Sequence, residues 1–250
     1  MAKNILAIHA HPDDWEILAG GTLALLAGAG HSLTVVTMTD GDCGTKTHAR
    51  EEIGRIRRAE AQRAAGRIGA RYEWAGFHDL AIFADDFSRR HVTALVRRLH
   101  PDIVITSAPV DYMVDHEVTS QLVRDACFAA GAPNYRAADD QAPPLDHIPA
   151  LYFMDPIEGV DRDARPVPPD FIVNVSTKFA LKRELLACHE SQRAWLQAHH
   201  GMDNYLITME HWTRRRGQQA GFEFGEGFRQ YRGHPYPQAP VLQEMLSAYV

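Results

Sequence analysis

Two clusters of histidine and carboxylate stand apart from the rest of the chain. The first reads His9-Ala10-His11-Pro12-Asp13-Asp14-Trp15-Glu16 and the second Asp111-Tyr112-Met113-Val114-Asp115-His116-Glu117. An imidazole and a carboxylate from the first, with an imidazole from the second, make a three-ligand set that leaves positions open for water and substrate, as catalytic zinc requires. The expected ligands are His11, Asp14 and His116. Asp13 cannot easily reach the same ion from the adjacent position, but it can hydrogen-bond the ion's water and take its proton, which makes it the expected general base. A bound divalent ion lowers the pKa of water from about 15.7 toward about 7, so hydrolysis of an unactivated bond comes within reach. Two histidines and a carboxylate also suit Fe²⁺, so iron or another divalent ion is the second choice after Zn²⁺.

Taken singly, the residues of these clusters have plainer explanations. His9 lies within a strand-like run and reads as a satisfied core histidine. Glu16 and Glu117 fall in first helical turns, where acids are favoured by the dipole. Asp115 is either an N-cap or a carboxylate that orients a histidine. The conjunction of both clusters carries the metal reading.

The elements around them set the geometry. Residues 4–9 form an apolar, β-branched run, and 15–29 follow with helical composition. The alternation repeats with a strand at 33–38, a turn at 40–44 and a charged amphipathic helix at 50–68. Further units follow at 71–74 and 87–99, then at 102–106 and 117–129. Serial β-then-α units argue an α/β fold, a Rossmann-like doubly wound, mostly parallel sheet with helices on both faces. In such sheets ligands bind outside the carboxyl ends of the strands, at the switch point between strands 1 and 4 of the order 3-2-1-4. Both clusters follow those two strands.

Strand-like segments resume at 150–154 and 171–175, and 178–199 and 204–215 look helical. The Ala-, Asp- and Pro-rich stretch 131–149 reads as a flap or excursion. The Gly- and aromatic-rich residues 221–236 open a C-terminal segment, 221–250, that is expected to be irregular. One domain over residues 1–250 is expected, with substrate specificity in 131–149 and the C-terminal aromatic segment. Trp195, Tyr205 and Trp212 read as core packing rather than an interface, and a homo-oligomer stays an option.

Composition narrows the function classes. The chain has 250 residues, of which 45% are hydrophobic and 23% charged, so intrinsic disorder and collagen-like repeats are excluded. Its 26 basic and 32 acidic residues give a net charge of −6, which offers no pull toward nucleic acid or anionic lipid. The uncharged stretch 17–30 falls short of the roughly 18–20 residues that span a bilayer. No secretory h-region is visible, so a cytoplasmic protein with a small-molecule partner, no nucleic acid and no membrane is expected. Cys43, Cys127 and Cys188 are odd in number and lack C-x-x-C spacing, which fits reduced thiols, with Cys127 in a helix core. The basic run Arg214-Arg215-Arg216 reads as a solvated helix end. There is no G-x-G-x-x-G turn after strand 1, no P-loop and no G-x-S-x-G elbow.

The segment Ala10 to Glu16 (AHPDDWE), followed by Gly20-Gly21-Thr22 and paired with Asp115-His116, resembles the PIG-L/LmbE-like family of metal-dependent N-acetylglucosamine deacetylases. Supporting similarities are Thr39-Asp40-Gly41, Arg57-Arg58-Ala59-Glu60, Pro101-Asp102-Ile103-Val104, Cys188-His189-Glu190-Ser191-Gln192 and Gly225-Glu226-Gly227-Phe228-Arg229, so the resemblance spans residues 4–230. It implies zinc on His11, Asp14 and His116, Asp13 as base, and hydrolysis of an amide on a small amino-sugar-like substrate. It also implies substrate contact by Arg57 and, as in some members, by Asp79.

One departure matters. The family's second motif usually reads H-P-D-H, and here Met113 replaces its first histidine, which in the family stabilises the oxyanion or protonates the leaving amine. A thioether does neither. Tyr112 and His189 are the candidate substitutes. Losing one oxyanion donor typically costs about 10²–10³ in rate, so an altered substrate class is expected rather than inactivity. The expected protein is a zinc-dependent N-deacetylase or amidase. The alternative is a metal-containing module that binds or senses a small ligand, its catalysis weakened through Met113.

Overall fold

Strand β1 (Asn4–His9) is apolar on both faces because both are covered. Ile5 and Ala7 point into one core, and Leu6 and Ile8 into the other. The same alternation runs through β2 (Ser32–Thr39), β4 (Ile103–Thr106) and β5 (Ala150–Met154). The computed structural model describes residues 2–138, 142–200 and 205–250. Within it β3 (Arg71–Phe77), β6 (Phe171–Asn174) and β7 (Gly225–Gln230) complete a seven-stranded sheet of order β3-β2-β1-β4-β5-β7-β6. The run from β3 to β5 is parallel throughout, and β7 pairs antiparallel with both β5 and β6. The expected 3-2-1-4 order is therefore present, extended on one side by a mixed edge.

Helices cover both faces. Helices α1 (Asp14–Leu18), α2 (Gly20–Gly28) and α3 (Arg50–Arg67) pack on one. Helices α4 (Asp86–Leu99) and α5 (Val114–Ala129) pack on the other, where Cys127 is fully buried as expected. Helix α6 (Phe179–Leu186) joins the first face, and α7 (Glu190–His200) and α8 (Tyr205–Gln219) follow it; Leu186, Tyr205, Leu206 and Met209 form a small cluster of their own beside Ile17 and Leu196. No helix among the described residues is long and apolar enough to cross a membrane.

Several expected elements differ. The helix expected over 15–29 is two helices, broken where Ala19 leaves the helical region at φ −140°. The second begins on a carboxylate supplied from β7: Glu226 accepts the backbone N–H groups of Gly21 and Thr22, both at 2.8 Å. Gly21 is required there, since a Cβ would sit 2.5 Å from Val175. Lys182 of α6 closes the arrangement, donating to Glu226 at 2.5 Å and to the Ile17 carbonyl at 2.7 Å, with both charged side chains buried. The helix expected over 178–199 likewise divides into α6 and α7, because the chain turns inward at His189 to meet Glu16. Residue 204, the expected start of the next helix, lies outside the described residues.

The C-terminal segment 221–250 is not irregular throughout. Gly225–Gln230 enters the sheet as β7, and α9 (Val241–Met245) follows. Two glycines hid this strand, and Gly227 is tolerated there because its open face receives the Asp155 carboxylate. The run Arg214-Arg215-Arg216 is only partly a solvated end, since Arg216 donates to Asp155 at 2.5 Å.

The described residues of 131–149, which exclude 139–141, form an excursion and not a flap over the site. The excursion follows α5, whose 16 residues span about 24 Å from the β4 end to the far end of the sheet. Arg97 of α4 ties it down there, donating to the carbonyls of Ala130, Ala132 and Tyr135 at 3.1, 2.9 and 2.9 Å.

Removing one partner of a buried ion pair leaves the other uncompensated. Glu226→Ala is expected to lower stability by about 3–5 kcal/mol, read as a drop in the urea midpoint. A loss below about 1 kcal/mol, the size of an exposed pair, would show that Glu226 is not the joint between β7 and α2.

Candidate metal centre and its pocket

Each parallel strand delivers polar groups from the loop at its carboxyl end. Asp13 and Asp14 follow β1, Gly41 and Cys43 follow β2, Asp79 follows β3, and Asp111 and His116 follow β4. The carboxylate of Asp14 forks toward two imidazoles: Oδ2 lies 3.7 Å from His11 Nδ1, and Oδ1 lies 3.4 Å from His116 Nε2. Those two ring nitrogens are 3.2 Å apart. An ion with tetrahedral bonds of about 2.0–2.2 Å holds its ligand atoms roughly 3.3–3.6 Å from one another. One ligand atom from each of the three residues can be chosen so that all lie within 4.8 Å of one another, which is close to that spacing, and all three residues are buried.

Both rings are aimed from behind. His11 Nε2 faces Asp115 Oδ2 at 3.4 Å, and the same oxygen accepts the Leu80 N–H at 2.7 Å. His116 Nδ1 faces Asp111 Oδ1 at 3.2 Å, while Asp111 Oδ2 accepts the Ile157 N–H at 3.1 Å. Each imidazole thus turns one nitrogen to the trio and the other to an anchored carboxylate, the arrangement that orients metal-binding histidines and raises their basicity.

The electrostatics follow from this crowding. Burial alone would push His11 down, but Asp115 and Asp14 reverse the effect and raise it to about 9. His116 is likewise raised against its own burial, by Asp14 and Asp111. The Asp14 carboxyl lies well below the usual carboxylate range despite burial, held there by His116 and His11.

Asp13 occupies a strained backbone position, φ 103°, a region that non-glycine residues rarely adopt. Tyr205 donates its hydroxyl to Asp13 Oδ2 at 2.5 Å, and the Arg57 guanidinium lies 3.6 Å from Oδ1. Burial pushes this carboxyl up, against the opposing pull of Arg57 and His189. Arg57 is itself locked, donating to the carbonyls of Gly41 and Pro12 at 3.1 and 2.9 Å. Gly41 adopts φ 71°, and a Cβ there would collide with the guanidinium.

The remaining expected residues divide. Asp79 lines the pocket, with Oδ2 accepting the Cys43 N–H at 3.1 Å and Oδ1 3.8 Å from His11 Nε2. His189 does not line it; it is fully buried and bonded to Glu16 at 2.7 Å, so it has no path to a substrate. Tyr112 does line the pocket, its ring edge-on to His116 at 5.9 Å. The side chain is 68% exposed, and a phenol, whose ordinary pKa is about 10, is a proton donor at neutral pH. His9 behaves as a core histidine: burial lowers it to about 4, and its neutral ring is placed to donate to the His11 carbonyl at 3.0 Å.

The pocket over the trio measures about 590 Å³. No described residue of 131–149 or of the C-terminal aromatic segment lines it, contrary to expectation. Its outer wall comes from α7 and α8, with Trp195 and Trp212 lining it and Tyr205 reaching Asp13. Sequence reasoning missed Tyr205, which stands 192 positions from its partner, and assigned no role to Asp111, whose spacing did not distinguish it from Asp115.

Comparison with known proteins adds a family and two reactions. Residues 6–127 match the family described as GlcNAc-PI de-N-acetylase, PIG-L. Diacetylchitobiose deacetylase of Thermococcus kodakarensis is 27% identical, covering 96% of this chain and 88% of its own. The 4-oxalmesaconate hydratase of Pseudomonas putida is 25% identical, covering 76% and 74%. The solved N,N'-diacetylchitobiose deacetylase of Pyrococcus horikoshii superposes with a TM-score of 0.78 at 25% identity, covering 96% of this chain and 89% of that one.

Removing a carboxylate that orients a metal-binding histidine typically costs 10–100-fold in affinity. Asp111→Asn is expected to weaken zinc binding by about that factor in competition against a chromogenic chelator. Unchanged affinity would mean that His116 is not aimed by Asp111.

Proposed function

The chain belongs to the PIG-L family over residues 6–127, and from that premise we propose that it is a metal-dependent hydrolase that removes an acyl group from the amide nitrogen of a small amino-sugar-like substrate. The observation that carries this reading is the buried trio His11, Asp14 and His116, each offering a ligand atom within 4.8 Å of the others, with Asp13 beside it in one pocket. Deacetylase activity among the relatives supports it.

His11, Asp14 and His116 would hold a divalent ion, in the first place zinc, which when bound supplies a water of lowered pKa and polarises the amide carbonyl. Asp13 takes the proton of the attacking water and returns it to the departing amine. Tyr205 and Arg57 fix the two oxygens of that carboxylate, so its free lone pair is aimed before substrate arrives. The Tyr112 phenol takes the place of the histidine that Met113 replaces, donating a hydrogen bond to the oxygen on which charge develops. Asp79 and the remaining donors of Arg57 meet the substrate's polar groups.

A hydratase among the relatives makes addition of water to a carbon–carbon double bond the second reading. Both reactions need the same water and base. A release assay for primary amine separates them.

Asp13→Asn is expected to keep its zinc and lose turnover by about 10²–10⁴, measured as amine release from N-acetylglucosamine derivatives; near-normal turnover would remove Asp13 from the base role. Tyr112→Phe is expected to lower kcat by about 10²–10³ with KM little changed. An unaltered kcat would leave the oxyanion without help from Tyr112.

A further inference from the structure

The pocket is chemically two-sided. Its floor carries Asp13, Asp14 and Asp79 with one fixed cation, Arg57, among the described lining residues. Its wall is made of Met113, Ile157, Trp195, Leu196, Met209 and Trp212. A divalent ion on the trio would bring floor and ion close to electrical neutrality, so the lining itself holds no surplus positive charge for a phosphate or a polycarboxylate; Lys46, outside the lining, sits over the Trp195 ring at 5.4 Å from its centroid. A wall of thioethers, aliphatic groups and indoles offers chiefly dispersion and desolvation, with one N–H donor on each indole as its only strong polar group. Neutral hydrogen-bonding side chains in the described lining are Gln192, Thr208, Tyr112, the weak Cys43 thiol, the single N–H donors of Trp195 and Trp212, and Tyr205, the last committed to Asp13. The volume, about 590 Å³, lies within the roughly 300–1,000 Å³ that takes a drug-sized ligand. Met113 belongs to the same logic, since a thioether that cannot donate a proton extends the apolar wall to the edge of the trio.

We propose that the substrate's scissile amide carries a neutral apolar group of several carbons, and that the α7–α8 wall built on Trp195, Met209 and Trp212 selects it. This rests on the hydrolase reading above and deepens it. The apolar group has two possible places, the acyl side of the amide or the amine side as an aglycone, and both share the same recognition chemistry.

Two substrate series test the proposal on zinc-loaded enzyme. In one, glucosamine carries N-acetyl, N-butanoyl or N-hexanoyl groups; in the other, N-acetylglucosamine carries a methyl, butyl or hexyl aglycone. In one series kcat/KM is expected to rise about fourfold per methylene, chiefly through KM, and the series that rises identifies the side. Trp212→Ala and Met209→Ala are expected to flatten that slope. Calorimetric Kd values for the same compounds on Asp13→Asn give a readout independent of turnover, with the same gradient and a negative heat-capacity change. Turnover with flat or falling slopes in both series overturns the apolar wall while leaving the hydrolase intact. A binding gradient in the absence of amine release from any compound overturns the hydrolase and leaves the apolar wall standing. Flat binding as well as flat turnover, or preference for a 6-phosphorylated glucosamine, overturns the proposal outright.

Discussion

Buried negative charge at the carboxyl ends of β1, β3 and β4 is the constraint on which the rest of this molecule depends. Asp13, Asp14, Asp79, Asp111 and Asp115 are each less than a tenth exposed, and isolated carboxylates do not survive such burial. The chain answers with backbone N–H groups, two histidines and one guanidinium. His11 N binds Asp14 at 2.8 Å, Leu80 N binds Asp115, Ile157 N binds Asp111 and Cys43 N binds Asp79. The trio His11, Asp14 and His116 is where a divalent ion would complete the balance.

The fold supplies this concentration of charge by topology. Parallel strands all end on the same side, so the loops after β1, β2, β3 and β4 converge without long excursions. The strain at Asp13 and the close fit of Gly41 over Arg57 are local consequences of that crowding. Further out, the buried Lys182–Glu226 pair ties β7 to the start of α2 and keeps α1 a separate short helix that presents Asp14. The α7–α8 pair then covers the site and sends Tyr205 down to the base.

Much of this was legible in the sequence, and the limits have physical reasons. Strand β1 was readable to the residue, and the order of the first four strands followed from serial β–α units. The meeting of His11, Asp14 and His116 followed from where loops fall in such a sheet. Long-range partners were not readable: nothing local to Ala19 announces a helix break that a carboxylate from Glu226 makes possible. The glycines at 225 and 227 disguised a strand whose neighbours, rather than its own side chains, fill its faces. Segment 131–149 was assigned to the site by composition, although it leaves α5 at the far end of the sheet, where Arg97 holds it. The indoles of Trp195 and Trp212 look like core in any periodicity argument, because an apolar pocket wall and a core are built from the same residues.

The central claim is that His11, Asp14 and His116 hold an ion that the reaction requires. Metal analysis of the purified protein beside His116→Ala, coupled to amine release from N-acetylglucosamine derivatives, tests it most directly. The account predicts near-stoichiometric zinc in the wild type, its loss in the variant, and amine released by the wild type alone. A wild type that takes up no divalent ion even when supplied with zinc, or a variant that keeps both ion and turnover, would contradict it.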